Sequence, residues 1–400
     1  MENQTIAYHT LPGCPEKGYL VEPTDAEVPV GFERVVPVVL ACNESYAPYA
    51  SVTVQSMLEN AGTGCFYRVF VLHAGLTDDT IRLLESAKAP QLTVRCLNVE
   101  PLMESKGAEL HVNGYFSKEA YFRLLIPEAL SVYSQVVYLD CDIVVNRDIA
   151  DILPPDMGDN LFAAVRDRPW SSRYVAEQLH VKEKNYFNSG VLVINVGRWN
   201  AEKTTEKCFA YIRTARPEQL RFVDQDVLNV VCMDRVLYLD DAWNYLLHVL
   251  LRPNPERQSY AEQMGENFYV LHFTGRLKPW SHPELPLSRY FWKYAKNSAF
   301  FERIVETMGK TAAEELTKQK SEKDRLKKDL AKKTGEVEKL KKKNARLQHD
   351  LDCVHKSVSF RIGRAITFVP RKIRGGVRCF REHGAAYTFD RALVHLRIKK

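Results

Sequence analysis

Between residues 35 and 275 the apolar positions come in short, β-branched runs, and several of the stretches between them carry apolar residues at helical spacing. The runs at 35–41, 67–73, 92–97, 136–145, 162–167, 186–195 and 268–273 are short and nearly continuous, which predicts strands buried on both faces. Helices are predicted at 50–60, 78–87 and 118–130, and another opens within 222–229. Strands alternating with helices predict βαβ crossovers and a mainly parallel sheet in an α/β domain. The run at 237–241 also ends in acids, Asp240 and Asp241, but it lacks a spaced pair and runs straight into Trp243; it is set aside as a decoy.

Past Arg303 the pattern changes to Lys, Glu, Leu and Ala. Leu326, Leu330, Val337, Leu340, Leu347, Leu351, Val354 and Val358 follow a heptad seam, which predicts a coiled-coil helix over 310–356. Asn344 falls at an a position, a placement that favours a parallel homodimer. Lys333 and Gly335 weaken the first half of the seam, so a single solvated helix is the alternative. From 357 to 400 the chain mixes Phe, Ile and Val with Arg and Lys, as expected of a basic tail associating with an anionic membrane surface.

Charge sharpens this division. The net +6 conceals +14 on residues 301–400 and −8 on residues 1–300. No nucleic-acid-binding motif accompanies the basic charge, so no nucleic acid is expected as a partner. Nine scattered cysteines without a Cys-x-x-Cys pair read as reduced thiols. Residues 1–33 read as an irregular leader without signal-peptide character, and 34–303 as the folded domain. A cytoplasmic location, peripheral on the inner face of the cell membrane, follows as the expectation.

Candidate chemistry centres on Asp140 and Asp142 in the run 136–145. On one continuous strand they would project to the same side. Their repulsion is resolved either by a hard divalent cation, Mg²⁺ or Mn²⁺, or by exposure in a solvated turn. Arg123 lies among apolar neighbours; buried, it needs an anion, for which a phosphate and Asp140 both qualify, and the alternative is a packed stem whose head reaches water. Asn43 to Tyr46 follow the first strand, where open parallel sheets bind ligands. Asn188 and Gly190 precede an apolar run; Asp224, Gln225 and Asp226 open a helix, where Asp224 is also read as a cap. His272 is followed by Gly275 and Lys278, a pair suited to phosphate.

Taken in order, Ala41 to Tyr49, Arg123, Tyr138 to Asp142, Phe187 to Val191, Asp224 to Asp226 and His272 to Trp280 resemble glycosyltransferase family 8. The resemblance covers about 35 to 295. It implies a GT-A fold, a UDP-sugar donor (UDP-glucose or UDP-galactose), Mn²⁺ or Mg²⁺, and transfer with retention to a glycan or lipid-linked acceptor. It implies Asp140, Asp142 and His272 as metal ligands. Ala41, Asn43, Ser45, Tyr46, Asp140, Cys141, Asp142, Gly275 and Lys278 would contact the nucleotide, and Arg123, Asp167, Asn188, Asp224 and Gln225 would surround the donor sugar. Where the family commonly has an Asp facing uracil and an Asn two positions on, this chain has Asn43 and Ser45; the Asn43 amide oxygen is the expected acceptor for the uracil N–H. The competing class is a non-catalytic scaffold with an oligomerising coiled coil.

Overall fold

In the first strand, β1 (Arg34–Ala41), alternate residues feed two different cores: Val36, Val38 and Leu40 pack on one face and Val39 on the other. The strand β4 (Gln135–Leu139) does the same with Val137 and Leu139 against Val136 and Tyr138. A sheet covered on both faces requires both sets to be apolar, hence the unbroken runs.

The computed structural model describes residues 21–110, 112, 117–167, 172–249 and 266–395. The predicted leader lies mostly outside these, as does Cys14. Two units are resolved, Met1–Ala313 and Glu314–Lys400. The first holds a seven-stranded sheet in the order β3-β2-β1-β4-β7-β6-β8. Its further strands are β2 (Cys65–His73), β3 (Leu92–Asn98), β6 (Phe162–Arg166), β7 (Phe187–Asn195) and β8 (Val236–Tyr238). Strands β3, β2, β1 and β4 run parallel; β7 is antiparallel to both its neighbours. The run taken as a decoy is the edge strand β8, and Asp240 caps a 3₁₀ turn.

A second, three-stranded sheet has the order β5-β10-β9, from β5 (Ile143–Val145), β9 (Tyr245–Leu246) and β10 (Val270–His272). The run 136–145 is therefore not one strand. It is β4 of the large sheet and β5 of the small one, and Asp140-Cys141-Asp142 is the link between them. Buried Thr53, on the helix Ala47–Asn60, fixes the link by donating to the carbonyls of Cys141 at 3.2 Å and Ile143 at 2.8 Å.

The helix predicted at 118–130 is instead a 3₁₀ segment, Lys118–Leu125, followed by a short turn of α-helix, Ile126–Ala129. Pro127 has no N–H to offer the Arg123 carbonyl, which accepts from Ile126 in the tighter pattern.

The second unit is helical, with the later part of Phe301–Lys356, then Val358–Ile366 and Phe368–His395, the last broken at Gly384. Leu326, Leu330, Val337, Leu340, Leu347, Leu351 and Val354 are exposed along the long helix. That helix ends at Lys356, and Ser357 caps the next by accepting from Phe360 N–H, so Val358 does not extend the seam. No helix among the described residues is long and apolar enough to cross a membrane.

Candidate active site

At the carboxyl ends of β1 and β4 the sheet opens on a cavity of about 600 Å³. Ala41, Asn43, Tyr46, Arg123, Asp140, Cys141, Asp142, Asp167, Asn188, Asp224, Gln225, His272, Gly275 and Lys278 all line it. Of the residues that the resemblance assigns to the metal, the nucleotide or the sugar, Ser45 alone does not; its hydroxyl donates to Asn43 Oδ1 at 2.8 Å.

Both main-chain ends of the acidic link are held. Asp140 N–H donates to the Gly190 carbonyl on β7, and Phe273 N–H, just past β10, donates to the Asp142 carbonyl. The two sheets thus set the spacing of the two carboxylates. Asp140 Oδ1 accepts from Tyr138 Oη at 2.7 Å and from Arg123 at 2.9 Å, leaving Oδ2 beside His272 Nε2 at 3.7 Å. Asp142 Oδ1 lies 3.1 Å from His272 Nε2, and Asp142 Oδ2 pairs with Lys278. Ligand atoms of Asp140, Asp142 and His272 converge within 4.8 Å of one another.

The donor set fits a hard divalent ion, with two carboxylates and one imidazole. The tautomer fits too. Asn244 Nδ2 donates to Asn188 Oδ1 at 2.8 Å, so Asn244 turns its oxygen to His272 Nδ1 at 2.9 Å. Nδ1 therefore carries the proton and Nε2 faces the carboxylates with its lone pair. Space is reserved as well, because a Cβ added at Gly190 would meet His272 Cε1 at 2.3 Å and Asp140 Oδ2 at 2.7 Å.

Lys278 returns to Asp142 through a turn at Gly275, whose φ of +90° suits glycine. Trp280 anchors that loop by stacking on Tyr49, ring centroids 3.6 Å apart. Burial opposes the charge on Asp142, but the Lys278 ammonium beside it outweighs burial and holds the carboxyl well below its usual range.

Of the two anions open to Arg123, the fold supplies Asp140, and it adds Asp224. The guanidinium reaches both at 2.9 Å, also meets the Ser189 carbonyl and lies 4.4 Å over the Tyr138 ring. Asp224 is not a helix cap. It accepts from Ser189 Oγ at 2.9 Å, and burial raises its pKa to about 7 despite Arg123. The adjacent Val223 has φ +43°, a costly conformation for a β-branched residue, at the first position of the helix Val223–Val231 that carries Asp224 and Gln225.

Gln225 is engaged at both ends. Its oxygen accepts from Asn188 Nδ2 at 3.1 Å and Ser189 N–H at 3.2 Å, while its nitrogen donates to Asp167 at 2.9 Å and Tyr186 Oη at 3.0 Å. Tyr186 in turn donates to Asp226, which also accepts from Tyr174 Oη and Phe222 N–H. Sequence reasoning assigned no role to Asp226, Tyr186, Asn244, His248 or Glu119. The first two sit inside motifs already singled out, Asn244 follows the decoy run, and His248 and Glu119 carry no local signal.

Burial raises Asp226 to about 6, against a carboxylate's usual 3.8. A carboxyl whose folded pKa is raised binds more protons folded than unfolded between those values, so its contribution to stability falls as pH rises from about 4 to 6. Urea unfolding over that interval is expected to show a shallower decline for Asp226→Asn than for the wild type. The difference is up to about 3 kcal/mol, at roughly 1.4 kcal/mol per pKa unit.

The family profile of glycosyl transferase family 8 matches residues 37–283. General stress protein A of Bacillus subtilis is 27% identical over 278 residues, which are 66% of this chain and 95% of that protein. Lipopolysaccharide 1,2-glucosyltransferase of Escherichia coli K12 is 29% identical over 185 residues, 45% of this chain and 54% of that one. Among solved structures, the WbbM bifunctional glycosyltransferase superposes with TM-score 0.60 at 24% identity, covering 70% of this chain and 53% of that one. The galactosyltransferase LgtC, solved with donor and acceptor sugar analogues, gives 0.54 at 22%, covering 66% and 96%. These likenesses give the large sheet and its flanking helices the GT-A fold, and the match over most of the first unit gives the ancestry: the chain belongs to glycosyltransferase family 8.

Proposed function

We propose that the chain is a metal-dependent, retaining hexosyltransferase, taking glucose or galactose from a UDP-sugar and delivering it to a glycan or lipid-linked saccharide at the cytoplasmic membrane face. The observation that carries this is the convergence of Asp140, Asp142 and His272 in the same cavity as Lys278, Asp224 and Gln225. The printed names of the E. coli glucosyltransferase and of a Salmonella typhimurium lipopolysaccharide 1,3-galactosyltransferase, 29% identical over 187 residues, support a hexose.

Asp140 Oδ2, Asp142 Oδ1 and His272 Nε2 would hold Mn²⁺ or Mg²⁺, which when bound supplies Lewis-acid stabilisation to a departing diphosphate. Lys278, buried beside Asp142, adds positive charge where that diphosphate's charge would develop. Asp224, with Arg123 and Ser189 fixing it, positions a hydroxyl of the donor sugar. Gln225 has no ionisable group, and its oxygen already accepts two hydrogen bonds. That favours attack from the face the diphosphate leaves. The bond from the sugar carbon to phosphate breaks, the acceptor oxygen bonds the same carbon on the same face, and its proton passes to the departing phosphate oxygen.

Release of UDP from UDP-glucose and UDP-galactose, with and without Mn²⁺, tests the reading. Turnover of at least one donor, dependent on the metal, is the expected result; turnover of neither, with no metal-dependent UDP binding, would sink it.

The basic C-terminal helices are proposed as the membrane contact. Phe360, Ile362, Ile366, Phe368, Ile373 and Phe380 are interleaved with six Arg or Lys between 361 and 378. Deleting everything after Gly309 is expected to abolish sedimentation with phosphatidylserine vesicles while leaving donor hydrolysis intact. Undiminished sedimentation would refute the anchor.

A further inference from the structure

Asn43 follows β1 and Glu119 lies in the 3₁₀ segment Lys118–Leu125; they meet in the wall of the cavity, where Asn43 Nδ2 donates to Glu119 Oε2 at 3.3 Å. The orientation of the Asn43 amide is forced. Tyr46 N–H, which can only donate, lies 3.1 Å from one amide atom, and Ser45 Oγ meets the same atom at 2.8 Å. That atom is the oxygen, and both its lone pairs are used. The expectation that this oxygen receives a uracil N–H therefore fails on geometry. Asn43 turns its donor, not its acceptor, toward Glu119.

Glu119 has acceptor capacity to spare. Its residue surface is 6% exposed, and among the described residues it forms one hydrogen bond, to Asn43, and no ion pair. A carboxylate offers about four acceptor sites, and leaving them unfilled inside a protein is costly. A donor arriving from the cavity would relieve that cost. β1 is the neighbour of β4 in the sheet, so a nucleotide with its diphosphate at Asp140 and Asp142 can extend its base toward β1 along the same strand ends.

We propose that Glu119 is the residue that reads the nucleobase, its carboxylate accepting the N3–H of uracil, with Asn43 holding it in place. The assignment rests on the nucleotide-sugar reading above. It carries selectivity, because uracil presents an N–H at N3 where cytosine presents a lone pair. A carboxylate attracts the first and repels the second.

Calorimetry on the full chain with Mn²⁺ tests this with UDP, CDP and N3-methyl-UDP. The wild type is expected to favour UDP over the other two by about tenfold or more, as for a hydrogen bond to a charged group. N3-methyl-UDP needs no variant, so the test survives if a substitution fails to fold. Glu119→Gln is expected to draw both ratios toward one, since its amide can donate to cytosine, while affinity for inorganic diphosphate stays within twofold. If Glu119 merely braces Asn43, all three nucleotides weaken together and the ratios persist; that result overturns the proposal. A wild type that binds UDP no better than N3-methyl-UDP overturns it as well and leaves the transferase reading standing. Absence of any UDP binding removes both.

Discussion

Asp142→Asn is expected to lower donor turnover by at least about a hundredfold and to abolish any rise in melting temperature on adding Mn²⁺. Asp142 is the point where three demands meet: one oxygen faces His272 Nε2 at 3.1 Å, the other pairs with Lys278, and its carbonyl accepts from Phe273 N–H. The asparagine keeps the shape and loses the charge. Lys278, 8% exposed, is then left facing a neutral amide, with the Phe273 carbonyl at 2.7 Å as its remaining acceptor. Removing one partner of a buried ion pair costs on the order of 3 kcal/mol, so the metal-free variant is expected to melt below the wild type.

The pH profile separates this cause from general damage. Because the folded protein holds the Asp142 carboxyl below its usual range, the stability it contributes is present above about pH 4 and lost as pH falls further. The variant is expected to lack that share of the acid-side decline. A variant whose melting temperature still rises with Mn²⁺ as the wild type's does would remove Asp142 from the metal site.

Gly190→Ala is expected to weaken Mn²⁺ affinity by roughly ten- to a hundredfold and turnover with it, by the addition of one methyl group. That methyl would lie 2.3 Å from His272 Cε1, 2.7 Å from Asp140 Oδ2 and 2.9 Å from His272 Nδ1. The backbone cannot withdraw easily: Gly190 N–H donates to Asn188 Oδ1 at 3.0 Å and its carbonyl holds Asp140 N–H at 2.8 Å, just past the end of the antiparallel pairing of β4 with β7. His272 and Asp140 must therefore separate. Overpacking of this kind costs about 1–3 kcal/mol, which leaves a foldable protein whose metal affinity can be measured by calorimetry. Unchanged Mn²⁺ affinity would show that the converging atoms are not the ligands.

Much of this molecule was legible in the order of its residues. The seven apolar runs all lie on strands, because burial on both faces of a sheet leaves a continuous local trace; β1, β2 and β3 match their runs to within two residues at either end. The same reading located the acidic pair, His272 and Lys278, and the family they belong to. Periodicity failed where chain direction changes without a change of composition. Nothing in the run 136–145 marks the passage from one sheet to the other, since both β4 and β5 are buried and both are rich in valine.

Partner choice left no trace at all. Whether Arg123 met a phosphate or a carboxylate, that Asn43 met Glu119, and that Asn244 sets the tautomer of His272 were decided by groups 17 to 101 residues away along the chain. The sequence by itself determined where the apolar runs that form the main strands lie and which side chains reach the strand ends, because burial acts through near neighbours. Only the tertiary structure decided how those side chains pair, because hydrogen bonds and charges act through space across elements that no local pattern connects.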